Sequence, residues 1–278
     1  MSLEPMPLFW LALTLLAYLG SRWLYRRSGR YVLSPLILVP ALLLAVAVPL
    51  HTAYAEYAAN THWLMLVLGP VTVAFAIPIW QQRQLLMRHW SALLLGMLAA
   101  GVFFMGQFAL FTYLRPFLET VTQVDATTLS LVLLFIGVSG LAGTAAIGWF
   151  LRKRFYGTLA IIPAVMASIA LALTAAGPSV ATTTALLALW GLVATAAPVG
   201  WWSWIARSLP HDAEAGGGLM VAVVQVSIAL GATVGGVLFD TNGYPSVFAL
   251  SAGLLLLSGF LVGLTARADR TTAIGHTT

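Results

Sequence analysis

The chain has 278 residues, of which 60% are hydrophobic and only 8% are charged. With a mean hydropathy of +0.95, this composition lies outside the range of soluble globular domains and predicts an integral membrane protein. Cysteine is absent, which excludes disulfides and cysteine metal sites. The net charge of +5 comes from short basic clusters between apolar runs, a pattern that argues against nucleic-acid binding.

Nine apolar stretches reach or approach the roughly 20 residues that cross a bilayer. They cover about residues 7–24, 32–50, 63–80, 91–114, 127–150, 156–176, 182–206, 216–239 and 244–266. The runs are continuously apolar and too long for the alternating strands of a membrane barrel. The sequence therefore predicts an all-α fold of about nine transmembrane helices in the lipid bilayer.

The basic residues predict how these helices are oriented. Twelve of the thirteen Lys and Arg residues fall in gaps on one side of the membrane, and the acidic residues Glu4, Glu56, Glu119, Asp125 and Asp240 fall on the other. The positive-inside rule assigns the basic side to the cytoplasm, with the N-terminus outside and the C-terminus inside. Arg115 is the exception, and we interpret it either as a snorkelling end-cap or as a gating residue at the outer mouth.

The composition changes near residues 95–100, where leucine- and proline-rich spans give way to spans rich in Gly, Ala, Thr and Ser. We therefore expect two domains, residues 1–95 and 96–278. The runs ALTLLAYLGSRWLYRRSGRYVLSP and WLMLVLGPVTVAFAIPIWQQ resemble the N-terminal part of the LrgB/CidB family over residues ~8–94. That resemblance implies a bacterial inner-membrane protein with a small holin-like partner, involved in murein hydrolase export and autolysis.

Three motifs in the second domain point elsewhere: GQFALFTYLRPFLE, WGLVATAAPVGWWSWIARSLPHDAEAGGGLMVAVVQ and GATVGGVLFDTNG. Residues ~96–266 resemble the C-terminal six helices of a major facilitator superfamily exporter of the drug/proton-antiporter type. The resemblance implies efflux of small polar solutes such as nucleosides or sugars. A complete facilitator has two six-helix halves around a cavity, so we expect a homodimer whose facilitator-like parts face each other.

Catalytic patterns are missing from the sequence. It has no paired carboxylates, no Ser/His/Asp arrangement, no metal-spaced cluster and no phosphate loop with its lysine. We expect no enzyme activity, no cofactor and no metal.

The candidate solute-binding residues are Gln107, Tyr113, Trp201, Trp202 and Gln225. Both glutamines lie deep inside spans, where an amide offers a donor and an acceptor to a solute. Tyr113 lies at a different helical angle from Gln107, and Pro116 is expected to come too late to break the helix between them. The tryptophans are either interfacial anchors or a stacking surface for a planar solute.

Small residues offer the alternative interpretation, helix packing without solute binding. Along the eighth span, Gly218, Ala222, Gln225, Ala229, Ala232 and Gly236 recur at spacings of 4, 3, 4, 3 and 4, which places them on one helical face. The predicted packing glycines are Gly137, Gly140, Gly218, Gly231, Gly235 and Gly236. Three functions stay open at this point: a transporter, an LrgB-type membrane protein, and an inactive recombination product.

Overall fold

The computed structural model describes residues 5–29, 33–47, 49–50, 61, 80, 90–209 and 213–275. Within these residues the secondary structure is helical and contains no strand, which confirms the all-α prediction for this part of the chain. The chain divides into two compact units, Met1–Ala74 and Phe75–Thr278. The compositional change near residue 95 lies inside the second unit.

The first unit contains helices α1 (Pro5–Ser28) and α2 (Pro35–Ala47), which pack against each other. They lie where the first two spans are predicted, but neither is among the segments of the described residues that are long and apolar enough to cross a membrane. Helix α1 ends at Gly29, whose φ of +65° lies in the left-handed region that glycine adopts without a steric penalty. The third predicted span, residues 63–80, lies outside the described residues except at its last position.

The second unit contains eight helices. They are α3 (Trp90–Phe111), α4 (Leu114–Thr120), α5 (Ala126–Lys153), α6 (Phe155–Ala176), α7 (Val180–Ala194), α8 (Ala197–Ser208), α9 (Ala213–Asn242) and α10 (Tyr244–Gly275). Because α3 with α4 and α7 with α8 each form one segment, the described residues contain six apolar segments long enough to cross a membrane. These six match the last six predicted spans, so the chain is a multi-pass membrane protein.

Local sequence signals explain where several of these helices start and stop. Asp125 caps α5 by accepting a hydrogen bond from the Thr128 backbone N–H at 3.1 Å. Hydrogen bonds from Thr128 also hold the pKa of the Asp125 carboxyl below its usual value. Ser179 caps α7 in the same way. The turn between α9 and α10 is made by Gly243, with φ +75°.

Two spans are broken, and proline explains both breaks. The ring of a proline clashes with the carbonyl four residues earlier and removes one helical hydrogen bond. Pro116 therefore acts at Thr112, directly after the end of α3, and the Tyr113 N–H bonds the carbonyl of Leu110. The expectation that Pro116 comes too late to break this helix was wrong. Pro198 acts on Ala194 in the same way and separates α7 from α8.

The interhelical contacts fix the relative directions of the spans. Along α3, the residues Gly101 and Ala109 meet Ser227 and Gly235 of α9 in ascending order, so these helices run parallel. Helix α10 runs antiparallel to α3, because Ser258 bonds the Ala99 carbonyl and Ser251 bonds the Gly106 carbonyl. The contacts of α5 with α7 and of α6 with α10 give the directions of the remaining spans.

Helices α5 and α7 run parallel, since Gly140 and Gly143 of α5 pack on Gly191 and Leu192 of α7. Helices α6 and α10 run antiparallel, because Tyr156 bonds Asp269 at one end and the Tyr244 hydroxyl lies 3.5 Å from the Thr174 carbonyl at the other. Successive spans therefore alternate in direction, as they must if each crosses the membrane once.

This alternation separates the charges onto two ends of the second unit. One end, here called the basic end, carries Arg152, Lys153, Arg154, Arg207 and Arg267, together with the acidic Asp269. The other end, here called the acidic end, carries Glu119, Asp125 and Asp240 with Arg115. Which end faces the cytoplasm stays a prediction from the positive-inside rule.

Candidate solute-binding site

One face of α3 looks toward the α7–α8 span. Gly96, Phe103 and Gln107 lie seven and four residues apart and so share a helical face. A Cβ at Gly96 would overlap the indole of Trp204, and the Phe103 ring lies 6.0 Å from that of Trp201, centroid to centroid. Large aromatic side chains therefore fill the space between α3 and α8.

Gln107 continues this face beyond the aromatic cluster. Its amide oxygen, Oε1, is buried and accepts no hydrogen bond within the part of the chain that the structure describes. A buried acceptor without a partner loses the hydrogen bond that it would make to water, at a cost of about 1–3 kcal/mol. Native structures seldom leave such an atom unpaired unless something else binds it.

Trp190 of α7 carries a second buried polar group without a partner. Its side chain is 1% exposed, and its indole N–H, Nε1, makes no hydrogen bond to any described residue. Because Gly96 meets Trp204 and Phe103 meets Trp201, the two spans run antiparallel. An unpaired acceptor on α3 and an unpaired donor on α7 thus occur in two antiparallel spans.

Trp190 is not among the solute-binding residues predicted from the sequence. A signal was available, since Trp190, Ala194, Ala197, Trp201 and Trp204 are all buried and recur every three or four residues. Three tryptophans on one face of a single span exceed what interfacial anchoring needs.

The predicted tryptophans are placed very differently from each other. Trp201 is 2% exposed and is packed against Phe103 and Trp204. Trp202, its neighbour in sequence, is 42% exposed and points away from this cluster. Only Trp201 lies on the face turned toward Gln107.

Tyr113 lies after the break in its span and contacts α9. Its hydroxyl donates to the Ala232 carbonyl at 2.8 Å, and its ring stacks on Phe239 at a centroid distance of 5.2 Å. A Cβ at Gly235 would lie 3.0 Å from the same ring. In this conformation Tyr113 is a contact between helices.

Arg115 and Gln225 lie on the surface. The Arg115 Nε donates to Glu119 Oε1 at 2.8 Å in an exposed i, i+4 pair at the acidic end. Gln225 is exposed in the middle of α9. The structure therefore does not bring Gln225 into the face that carries Gln107.

The glycines predicted for packing also separate into groups. Gly140 of α5 and Gly231, Gly235 and Gly236 of α9 have no room for a Cβ, because each lies against the backbone or side chain of a neighbouring helix. Gly137 has nothing within 4 Å of its Cβ position, and Gly218 is buried.

The closest approach of α9 to α3 runs along Val223, Ser227, Gly231 and Gly235. These residues are spaced by four. They lie beside the predicted stripe rather than on it, and Gln225 and Ala229 of that stripe face outward.

No group of three His, Asp or Glu residues that could hold a metal occurs among the residues that the structure describes. The Gln107 amide, the Trp190 indole and the aromatic rings between α3 and α8 offer hydrogen bonds and aromatic contacts. Groups of this kind can hold a solute through hydrogen bonds and ring contacts.

A model of the LrgB-like family matches residues 14–129. The match begins in α1, passes the compositional change near residue 95 and ends in α5. The LrgB-like resemblance therefore extends about 35 residues beyond the segment on which the sequence analysis placed it.

Several bacterial proteins are similar to this chain. Transcription regulatory protein OpdE of Pseudomonas aeruginosa (strain PAO1) is 61% identical over 174 residues, which are 63% of this chain and 43% of OpdE. The purine ribonucleoside efflux pump NepI of Salmonella typhimurium (strain LT2) is 40% identical over 172 residues, which are 62% of this chain and 43% of the pump. NepI of Escherichia coli O157:H7 is 40% identical over 167 residues, 60% of this chain and 42% of that protein.

These matches cover less than half of each relative's length. Each also covers at least 60% of this chain and so extends beyond residues 14–129. Neither name is that of an enzyme, in line with the absence of catalytic patterns from the sequence.

Proposed function

We propose that this chain takes part in the efflux of small polar solutes, nucleosides or sugars, across the bacterial inner membrane. Six alternating spans and the similarity to a purine ribonucleoside efflux pump support a transport role. The spans of residues 93–269 act as one half of a facilitator-type transporter. The observation that carries the proposal is that two buried polar atoms, Gln107 Oε1 and Trp190 Nε1, have no hydrogen-bond partner among the described residues.

These two atoms suit a solute that both donates and accepts hydrogen bonds. A purine nucleoside does both, and its planar base can also contact the aromatic rings that line the same face. Both atoms are buried in this conformation, so a solute reaches them only when the spans separate. The break between Ala194 and Ala197 supplies a joint at which α7 can move relative to α8.

Half of a facilitator does not enclose a cavity by itself. We propose that a second copy of this chain supplies the opposite wall. The exposed face of α9 around Gln225 then meets the other copy, and Arg115 lies at the outer mouth. Trp202 and Gln225 contribute to binding only in this assembly, because both face outward in the single chain.

The test is resistance of cells to a toxic purine nucleoside. Cells that express the chain should survive higher concentrations than cells with an empty vector. Gln107→Met keeps the length and volume of the side chain but removes the amide, and Trp190→Phe keeps a ring but removes the N–H. We expect each variant to lose most of the resistance at unchanged protein levels, since a site built around hydrogen bonds discriminates strongly when one is missing.

Ser168→Ala is the matched control, because Ser168 is an exposed hydroxyl within a span and is already satisfied by the Ala164 carbonyl at 3.0 Å. It should keep full resistance. Full resistance in both Gln107→Met and Trp190→Phe would assign these side chains to packing and contradict the proposal.

A second candidate function rests on the LrgB-like match over residues 14–129. In that case the chain assists murein hydrolase export through a small holin-like membrane protein. Co-purification of such a protein with the tagged chain, together with altered autolysis and no nucleoside resistance, would favour this function.

A further inference from the structure

An apolar groove opens on the outer surface of the second unit between α5, α6 and α7. It has a volume of about 210 Å³ and is lined by residues of all three helices, among them Ala146 and Phe150 of α5, Ile161 and Val165 of α6, and Leu192 of α7. Ile161 is 60% exposed and Phe150 is 50% exposed. The groove is therefore accessible from the lipid side of the helices.

The groove offers nothing to a polar solute. The one side-chain hydroxyl in its lining is that of Thr158. This hydroxyl already bonds the Arg154 carbonyl at 2.8 Å and lies 3.2 Å from the Phe150 carbonyl. An occupant of the groove must be apolar, because a polar one would lose its hydrogen bonds to water without replacement.

Three basic residues lie in the chain between Phe150 and Thr158, two residues that line the groove. Arg152, Lys153 and Arg154 form the junction between α5 and α6, and all three are exposed. The Lys153 Nζ lies over the Trp149 ring at 3.8 Å. The guanidinium groups of Arg152 and Arg154 bind no acidic side chain in the described part of the chain.

The junction adds a second feature that favours an anion. Helix α6 begins at Phe155, and no side chain caps its first N–H groups. These N–H groups and the helix dipole stabilise negative charge at a helix N-terminus. Two guanidinium groups without an acidic partner among the described residues and an uncapped N-terminus thus lie in the junction that joins the groove residues Phe150 and Thr158. The carboxylate of Asp269 also lies near this N-terminus, where it accepts a hydrogen bond from the Tyr156 hydroxyl.

The groove extends from this edge into one leaflet. Ala146 lies seven residues before Lys153, and Val165 lies eleven residues after Arg154. At about 1.5 Å per residue these positions lie roughly 10 and 17 Å from the basic edge. In a hydrocarbon core about 30 Å thick, the first lies within one leaflet and the second lies near the midplane.

We propose that this groove and its basic edge bind an anionic glycerophospholipid. One acyl chain lies in the groove between α5, α6 and α7, and the headgroup phosphate pairs with Arg152 and Arg154. The basic end is the predicted cytoplasmic end, where anionic lipids are concentrated. A lipid combines the two chemistries that the site needs, an apolar tail and a negative head.

The experiment measures lipid retention by native mass spectrometry of the full chain, purified in detergent and mixed with equal amounts of phosphatidylglycerol and phosphatidylcholine. Each basic residue near a membrane surface contributes about 1 kcal/mol toward an anionic lipid, so two arginines should favour phosphatidylglycerol roughly 30-fold. The variant Arg152→Gln/Arg154→Gln should lose most of this preference. The control Arg26→Gln/Arg27→Gln removes two charges from the end of α1 and should keep it.

The groove is tested separately with Ala146→Phe, which fills it from an exposed position. We expect less phosphatidylglycerol bound, whereas the neighbouring exposed Ala145→Phe should bind as the original chain does. Equal retention of the two lipids by the original chain would overturn the proposal, and so would full retention by Ala146→Phe. Displacement of phosphatidylglycerol by inorganic phosphate would show an ion site in place of a lipid site. The comparison of the two lipids and the displacement by phosphate both use the original chain, so neither depends on whether a variant folds.

Discussion

Two glycines of α5 differ sharply in what surrounds them. A Cβ at Gly143 would overlap the backbone carbonyl of Leu192 in α7, whereas a Cβ at Gly137 meets nothing within 4 Å. We expect Gly143→Ala to lower the free energy of unfolding by about 1–3 kcal/mol, because backbone cannot move aside as a side chain can. Gly137→Ala should raise it by up to about 1 kcal/mol, since alanine is the better helix former.

Unfolding of the full chain by increasing SDS in mixed micelles measures both values. The two variants serve as each other's control, because they make the same substitution in the same helix. Equal effects of the two substitutions would show that the approach of α5 to α7 is not as close as described.

Sequence alone could not separate these two glycines. Both are small residues in an apolar helix, and in a membrane the lipid-facing and protein-facing sides are equally apolar. Periodicity therefore shows which residues share a face but does not show what the face meets. The same limit explains why the contact of α9 with α3 runs beside the predicted stripe. Gln107 could be selected because an amide is rare in such a run, whereas an aromatic residue such as Trp190 is common in apolar spans and was not selected.

At the scale of single elements, the break before α4 determines what Tyr113 contacts. In a continuous helix the residue would point in a different direction, and its hydroxyl would not reach the Ala232 carbonyl at 2.8 Å. Pro116 causes the break by removing the helical hydrogen bond at Thr112. The stability of the α3–α9 contact should therefore depend on the proline.

A double-mutant cycle tests this dependence. Tyr113→Phe in the original chain removes one interhelical hydrogen bond and should cost about 0.5–1.5 kcal/mol of unfolding free energy. In a Pro116→Ala background the same substitution should cost almost nothing, because the continuous helix no longer places the hydroxyl near Ala232. An equal cost in both backgrounds would mean that the break does not position Tyr113.

The spans themselves were predictable, since long apolar runs leave few alternatives to a membrane helix. The breaks between α3 and α4 and between α7 and α8 were not predictable from the sequence. A proline acts four residues upstream of its own position, and whether a helix bends or breaks there depends on the neighbouring helices. Pro163 shows this, because it lies inside α6 without ending it.

At the scale of the whole molecule, the charge pattern and the contacts of the second unit agree. Basic residues near the ends of α5, α8 and α10 lie at one end of the unit because the spans alternate in direction. For example, the Arg207 guanidinium lies 3.9 Å from the centre of the Phe155 ring, so the ends of α8 and α6 are together. The sequence predicted this grouping from charge alone. It could not show which helices are neighbours, because the pairing depends on small residues and buried serines that leave little trace in hydropathy.

Gln225 gives the remaining prediction. Other polar groups exposed along the spans satisfy themselves within their own helix, as the Thr233 hydroxyl does by donating to the Ala229 carbonyl at 2.8 Å. The exposed amide of Gln225 has no such partner in the described part of the chain, and an unsatisfied amide in hydrocarbon costs several kcal/mol. A second copy meeting this face would satisfy it, because the two amides can bond each other across a symmetric contact.

The chain contains no cysteine, so a single introduced cysteine reports one position. We expect Ala229→Cys, exposed on α9 one turn from Gln225, to crosslink to its copy in native membranes. Ser168→Cys on the exposed side of α6 should not. Adding Gln225→Leu to Ala229→Cys should reduce the crosslinked fraction, because the amide contact is lost while the cysteine is unchanged. A crosslinked fraction no higher at Ala229 than at Ser168, or one unaffected by Gln225→Leu, would show that this face of α9 meets lipid and that the amide tolerates it.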